Sequence, residues 1–485
     1  MTLEMAASAA ERAAVTLDGR SLTAARMLAL AQRAAGRFRG APAVLYRAPN
    51  HLAYPVALFG AALAGVPFVP VNYRLGGDQL AEIEGRHPGA VRLGDDDLEA
   101  LLEAPDELPA QASGQAPWDQ DAVAVILYTS GTTAAPKAAL LRHRHLLAYV
   151  LNTLEFGSAD EGDTALVAVP PYHIAGLTNL LSNLYTGRRV VYLPAFGAAE
   201  WLDTVRREKV THAMLVPTML ARIVDEIPAG ADAGAPSLRS LAYGGARAPR
   251  PVVEKALRAF PDTDFVNAYG LTETASSIAV LGPDDHRAAL AATDAAVRDR
   301  ITSVGRALPG VELVLRTEGG EPCPPGRTGL VYVRGEQISG EYKGRSALDV
   351  DGWFPTGDLG RLDTDGYLFV EGRADDTIIR GGENIAPAEI EDVLLAHPGV
   401  REAVVIGVPD DEWGQRIVAV LVGAGESEEI RLWAKSRLRT SKTPDTIVFR
   451  ADLPRTSTGK LLRRTLLAEL KGAEGPEDPK NPEKR

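Results

Sequence analysis

The sequence predicts an α/β protein: a large N-terminal domain of parallel sheets layered with helices and carrying a small β subdomain, then a small α+β C-terminal domain. Three observations predict it. Helix-patterned and strand-patterned segments alternate up to about residue 370, as parallel sheets wrapped by helices require. Residues 310–315 and 329–334 alternate with period two, separated by Gly319-Gly320, Pro322, Pro324 and Pro325, which reads as a small antiparallel unit. From Arg373 the pattern resets into short strands and helices. The expected domains are therefore 1–373 and 374–471, with 472–485, rich in Pro, Glu and Lys, a disordered tail.

The elements follow in order. Residues 24–38 carry apolar side chains at helical spacing, 43–46 form an apolar strand, 53–63 read as a helix ending near Gly65, and 66–71 as the next strand. Residues 122–127 form a β-branched apolar run, a buried strand. Asp264-Phe265-Val266 is strand-like. In the C-terminal region a helix is expected at 388–397, strands at 403–408 and 416–422, and a helix at 428–438.

Composition bounds the function. The chain has 485 residues, 45% hydrophobic and 24% charged, the balance of a globular protein long enough for more than one domain. Net charge is −12 with Lys and Arg dispersed, which argues against a nucleic-acid partner. Anionic ligands would need local positive sites. Cys323 is the single cysteine, so no intramolecular disulfide or cysteine-based zinc cluster can form, and a reducing cytoplasm is expected. The first residues carry acid and no long apolar run, so no signal peptide is expected. The apolar stretch 54–69 is broken by Pro55, Gly60, Gly65 and Pro67 and falls short of a membrane span.

The strand at 122–127 leads into Tyr128-Thr129-Ser130-Gly131-Thr132-Thr133-Ala134-Ala135-Pro136-Lys137. Small residues let backbone N–H groups approach a polyanion, while hydroxyls and an ammonium add donors and positive charge. The spacing is not that of a G-x-x-x-x-G-K-[ST] P-loop. By composition alone the loop suits a phosphate grip or an ordinary Ser/Thr-rich turn. Further on stand Tyr243-Gly244-Gly245-Ala246, Asn267-Ala268-Tyr269-Gly270-Leu271-Thr272-Glu273, and Gly352-Trp353-Phe354-Pro355-Thr356-Gly357-Asp358-Leu359. Then come Gly372-Arg373-Ala374-Asp375, continuing to Gly381-Gly382-Glu383-Asn384, and Leu453-Pro454-Arg455-Thr456-Ser457-Thr458-Gly459-Lys460. Taken singly, these also suit plain turns, a solvated Glu273 and a solvent-exposed Lys460.

Together and in this order they resemble the adenylate-forming superfamily: acyl- and aryl-CoA synthetases, luciferases and the adenylation domains of peptide synthetases. The resemblance spans roughly residues 40 to 470. It implies that Thr129, Ser130, Gly131, Thr132, Thr133 and Lys137 bind the β- and γ-phosphates of ATP. Gly245 and Ala246 line the adenine side, with Asn267, Tyr269 and Gly270 also on the nucleotide. Tyr269 stacks on adenine, Thr272 bonds the α-phosphate and Glu273 holds Mg²⁺. Asp358 and Arg373 take the ribose, and Asp375 is the hinge on which a mobile C-terminal domain swings. The Gly381-Gly382 loop passes the pantetheine arm of coenzyme A, and Lys460 is the catalytic lysine. The family has glycine where this chain has Ala134 and Ala138. Alanine tolerates positive φ poorly, so a stiffer loop is expected, touching ATP turnover more than ATP binding.

The implied reaction joins a carboxylic acid to ATP, giving an acyl-adenylate and pyrophosphate, and then transfers the acyl group to CoA with release of AMP. A developing negative charge on phosphate and carboxyl oxygens is what a compact ammonium such as that of Lys460 stabilises. Peptide-synthetase domains place an aspartate in the segment that here reads Pro171-Tyr172-His173-Ile174-Ala175-Gly176-Leu177-Thr178. An amino-acid substrate would leave a buried ammonium unpaired, so a hydrophobic acid is expected, with His173 lining its pocket and Ala175, Gly176 and Thr178 leaving room. Two rivals stand beside the acyl-CoA synthetase reading. One is an acyl-AMP ligase that loads an acyl carrier protein. The other is a catalytically weak binding or scaffold relative, motivated only by Ala134 and Ala138.

Overall fold

The computed structural model describes residues 10–103, 119–129, 136–228, 230–410, 412–456 and 461–473. The chain divides into two compact units. One is Met1–Val314 with Tyr332–Thr356 and Asp365–Leu368; the other is Leu315–Val331 with Gly357–Thr364 and Phe369–Arg485.

The first unit holds two large sheets. The nine-stranded sheet runs in the order Arg306–Ala307, Ser276–Leu281, Asp264–Leu271, Ser240–Gly244, His212–Leu215, Thr164–Val167, Arg189–Tyr192, Ala13–Leu17, Arg20–Thr23. From Asp264–Leu271 to Ala13–Leu17 the strands are parallel. Both ends are finished by antiparallel strands. The seven-stranded sheet runs Arg345–Ser346, Glu341–Tyr342, Lys137–Arg142, Val123–Thr129, Phe68–Pro70, Val44–Tyr46, Val91–Leu93. It is parallel from Val123–Thr129 onward, with antiparallel strands added on the other side. The layered α/β expectation holds, and the antiparallel edges are additions to it.

Helix positions follow the apolar spacing. Ala24–Phe38 starts where the Thr23 hydroxyl accepts from the Arg26 N–H at 3.1 Å, and it buries Met27, Leu30, Ala31, Ala34 and Phe38. The helix Ala53–Ala64 is apolar nearly all round because it is buried on most sides. These helices and Ile174–Thr186 share one core with Tyr46, Tyr54, Phe68 and Tyr192. A second core gathers Trp201, Leu215, Leu220, Tyr243 and Phe265.

Ala138 lies in the strand Lys137–Arg142, paired with Tyr128, in extended rather than left-handed backbone. Its methyl is buried among Leu45, Val69, Ile83 and Ile126. The expected backbone penalty of alanine therefore does not arise there. Ala138→Gly is expected to leave adenylation kinetics unchanged and to lower unfolding free energy by about 1–2 kcal/mol, the sum of strand entropy and one lost buried methyl; urea unfolding measures it. Ala134 lies outside the described residues.

Strands Glu312–Arg316, Gly329–Arg334, Phe354–Leu362 and Leu368–Arg373 form a four-stranded sheet in that order. In the second unit, Ile378–Arg380 and Glu383–Ile385 make a hairpin, followed by a sheet of Val400–Asp410, Gly414–Gly423 and Thr446–Phe449. Period-two alternation splits that sheet between two cores. Val405, Ala419 and Leu421 face Ile390, Leu394 and Ile430, while Val404, Ile406, Val418 and Val420 join Leu453 and Leu466. Among the described residues no helix is long and apolar enough to cross a membrane.

Candidate active site

The sequence-predicted residues fall into two sets, one in each unit. Ser130, Gly131, Thr132, Thr133 and Lys460 lie outside the described residues.

In the first unit Thr129, Gly245, Thr272 and Glu273 stand at or just past the carboxyl ends of strands, where open α/β sheets bind ligands. Thr129 ends the strand Val123–Thr129, and Lys137 opens the antiparallel return strand as its register partner. The Thr129 hydroxyl lies 3.5 Å from the Lys137 carbonyl. Residues 130–135, which connect these two paired strand ends, lie outside the described residues. Gly245, with φ +81°, follows the strand Ser240–Gly244 and is exposed together with Ala246.

The neighbouring strand, Asp264–Leu271, runs farther than expected and carries Asn267, Tyr269 and Gly270 within it. Asn267 is buried and donates from Nδ2 to the Ser303 carbonyl at 2.9 Å. Tyr269 pairs with Ala279. Thr272 and Glu273 then sit in one turn of 3₁₀-helix, Thr272–Thr274. Two successive non-glycine residues with positive φ follow, Ala275 at 51° and Ser276 at 110°. Such conformations persist where surrounding contacts over-determine them. Here Thr274 Oγ1 donates to the Ser276 carbonyl at 2.7 Å, and Thr178 Oγ1 donates to Ser276 Oγ at 3.0 Å.

Glu273 is 8% exposed. Its Oε1 accepts a hydrogen bond from the Tyr342 hydroxyl at 2.6 Å, and its carbonyl accepts from the N–H groups of Ser339 and Gly340 at 2.9 and 3.0 Å. Among the described residues no three His, Cys, Asp or Glu side chains converge to hold a metal. Glu273 as a single carboxylate fits Mg²⁺, which usually takes only one or two carboxylates beside phosphate oxygens and water.

His173 is the N-cap residue of the helix Ile174–Thr186, its ring 4.6 Å from that of Tyr172. Its Nε2 is sealed from solvent and has no hydrogen-bond partner. Desolvation pushes its pKa down to about 4, so the imidazole is neutral at pH 7. Gly176 and Thr178 do not leave the room expected of them. A Cβ at Gly176 would stand 2.4 Å from the Pro170 carbonyl, and Thr178 is buried with its hydroxyl bonded to Ile174 and Ser276. Both are committed to packing the helix start.

In the second unit Asp358 is 5% exposed, and its Oδ1 accepts from Arg373 Nη1 at 3.0 Å. Asp375 is exposed in the 3₁₀ turn Ala374–Asp376. Gly381 and Gly382, at φ +55° and +82°, form the two-residue turn of the hairpin, where both central residues need positive φ. Gly381 donates its N–H to the Trp413 carbonyl at 2.8 Å. Arg455 and Leu461, which flank the segment ending at Lys460, are joined by an antiparallel bridge.

Gln337, Ser339 and Tyr342 were not legible as site residues. Their hold on residues 273–277 links segments about 60 to 70 positions apart, and no local motif marks it.

A family model described as AMP-binding enzyme matches residues 3–343, and one described as AMP-binding enzyme C-terminal domain matches 389–460. The chain belongs to the AMP-binding enzyme family. A feruloyl-CoA synthase of Amycolatopsis sp is 35% identical over 93% of this chain and 94% of its own. A fatty acid–acyl-carrier-protein ligase, ScoC of Streptomyces coeruleorubidus, is 33% identical over 93% and 92%. The o-succinylbenzoate CoA synthetase MenE of Bacillus subtilis was solved with the acyl-adenylate OSB-AMP (TM-score 0.81, 29% identity, 96% and 97% coverage). It was also solved with ATP and a magnesium ion (TM-score 0.78, 30% identity, 96% and 98% coverage). This AMP-binding enzyme is an adenylate-forming ligase of the acyl-CoA synthetase branch.

Proposed function

We propose that the enzyme activates a hydrophobic carboxylic acid with ATP and Mg²⁺ to an acyl-adenylate and then passes the acyl group to coenzyme A, releasing AMP. The observation that carries the choice of acid is at the head of the helix Ile174–Thr186. Residues 171–178 hold no carboxylate, and His173 is neutral with an unpartnered Nε2. An ammonium-bearing acid finds no counter-charge in this segment, and an uncharged acyl group meets little desolvation cost.

In this reading Thr129, Lys137 and the loop between them hold the β- and γ-phosphates. Gly245, Ala246, Asn267, Tyr269 and Gly270 form the adenine side. Thr272 bonds the α-phosphate, and Glu273 would hold Mg²⁺, which would supply charge to offset that of the pyrophosphate. Asp358 and Arg373 bind the ribose. Lys460 stabilises the charge that builds as the carboxylate attacks, and Asp375 is the hinge of domain 374–471. The Gly381-Gly382 turn, where no Cβ intrudes, admits the pantetheine arm. The lone cysteine fits a reducing, cytoplasmic setting.

Incubating the protein with ATP, Mg²⁺, CoA and a panel of aryl, fatty, alicyclic and amino acids, with products read by mass spectrometry, tests the proposal. Acyl-CoA from an aryl or fatty acid is the expected result. Preferred turnover of an amino acid would overturn the assignment of the acid. The 33%-identical acyl-carrier-protein ligase favours a second acceptor; acyl-adenylate that discharges onto a phosphopantetheinyl carrier protein but not onto CoA would establish it.

A further inference from the structure

We propose that Tyr342 is a positioning residue for the first half-reaction. It fixes the carboxylate of Glu273 and ties it to the strand that leaves the phosphate loop. The inference rests on Glu273 as the magnesium-side carboxylate.

Gln337 is 1% exposed, and its Nε2 donates to the carbonyls of Thr274 and Ser277 at 3.0 and 2.8 Å. Ser339 and Gly340 give their N–H groups to the Glu273 carbonyl. The 3₁₀ turn carrying Thr272 and Glu273 is thus held by its backbone on two sides. Tyr342 adds the side-chain restraint. Its hydroxyl reaches Glu273 Oε1 at 2.6 Å, the length of an O–H donor on a charged carboxylate.

The same segment is bound to the strand Lys137–Arg142. Tyr342 is the register partner of Ala139, the Lys343 N–H donates to the Ala138 carbonyl at 3.0 Å, and the Ser339 hydroxyl donates to the Leu140 carbonyl. Arg142 forks onto Glu341 at 2.8 and 2.6 Å. The strand whose first residue is Lys137 and the carboxylate that would meet Mg²⁺ therefore share one mount. A cation held by Glu273 beside the phosphates would need both in a single geometry, and Tyr342 meets Glu273 through its hydroxyl and the strand through its pairing with Ala139.

Removing the hydroxyl frees the carboxylate to rotate without emptying the space. Tyr342→Phe in the full chain, assayed by pyrophosphate release at saturating ATP and acid while Mg²⁺ is titrated, is expected to raise the half-activating Mg²⁺ concentration and lower kcat, each by roughly five- to tenfold. The KM for the acid and the thermal midpoint should stay near wild type. Glu273→Gln serves as the reference. In that background Tyr342→Phe should add no further loss, because no carboxylate remains to be oriented. If Glu273→Gln shifts the Mg²⁺ dependence and Tyr342→Phe does not, or if the two losses multiply independently, the positioning role is overturned while Glu273 keeps its own. If Glu273→Gln leaves the Mg²⁺ dependence untouched, both assignments fall together.

Discussion

Replacing Asp358 with alanine is expected to lower kcat/KM for ATP by about 10²–10⁴-fold. A carboxylate accepting from both ribose hydroxyls makes two charge-assisted bonds, each worth about 1.5–3 kcal/mol, and each 1.36 kcal/mol is a factor of ten. The geometry prepares that carboxylate. Asp358 stands on the strand Phe354–Leu362 with 5% of its surface exposed, and Arg373 fixes Oδ1. Gly357, at φ +75°, makes room for the guanidinium: a Cβ there would stand 2.9 Å from Arg373 Nη2. In the proposed ribose role the carboxylate is turned before the nucleotide arrives, so binding would cost less side-chain entropy. Asp358→Asn keeps the volume, and its amide oxygen still accepts from Arg373, but a donor replaces the second acceptor. It should retain the wild-type melting temperature within a few degrees while losing about 10²-fold in ATP affinity. Calorimetric titration with AMP separates binding from chemistry, and unchanged affinity in both variants would sink the ribose role.

Much of this was legible where the physics is local. The helix Ala24–Phe38 has its predicted bounds because its cap and its 3.6-residue apolar spacing lie within the segment itself. The Gly381-Gly382 turn is readable because only glycine takes positive φ twice in succession at little cost. The Tyr269-Gly270 pair looks like a turn in sequence and is strand in the fold. At Gly270 the ladder to Ser276–Leu281 shifts register, and the Ser276 carbonyl approaches to within 1.9 Å of where a Cβ would be. That glycine serves a close approach by residues the motif does not contain. Gly176 is similar: its missing side chain admits the Pro170 carbonyl rather than a substrate. Tyr342 was out of reach for another reason. Its proposed role depends on register with Ala139, some two hundred positions away, in a strand of two residues with no periodicity to read.

Acidification is expected to weaken this fold well before its carboxylates protonate. Burial lowers the pKa of His51, His87, His143, His145, His173, His212 and His286, and desolvation is the leading cause in each. For His145, His173 and His212 the value falls to about 4. An unfolded histidine takes its proton near pH 6.5, the folded one only near 4. Between those values the unfolded state binds more protons, so stability falls as pH drops from about 6.5 to about 4 and then levels for these groups. His145 shows the structural reason. It is 2% exposed, and its Nδ1 accepts the Arg142 N–H at 3.2 Å at the start of the helix His143–Thr153. Protonation would place a charge in a dry site and turn that acceptor into a second donor. A shift of this size corresponds to about 3 kcal/mol across the window, and about 2 kcal/mol of it is lost by pH 5. Urea unfolding at pH 7.5 and pH 5 measures the difference. His145→Gln keeps an acceptor that cannot protonate, so its stability should fall by about 2 kcal/mol less over that interval than wild type. An unchanged slope would show that His145 titrates normally in the folded chain. The site adds a functional consequence. Arg142 also forks onto Glu341, beside the tyrosine that holds Glu273. Protonation of His145 in the folded chain, centred at about pH 4, would set a positive charge against the Arg142 guanidinium, and adenylation should fail toward that pH.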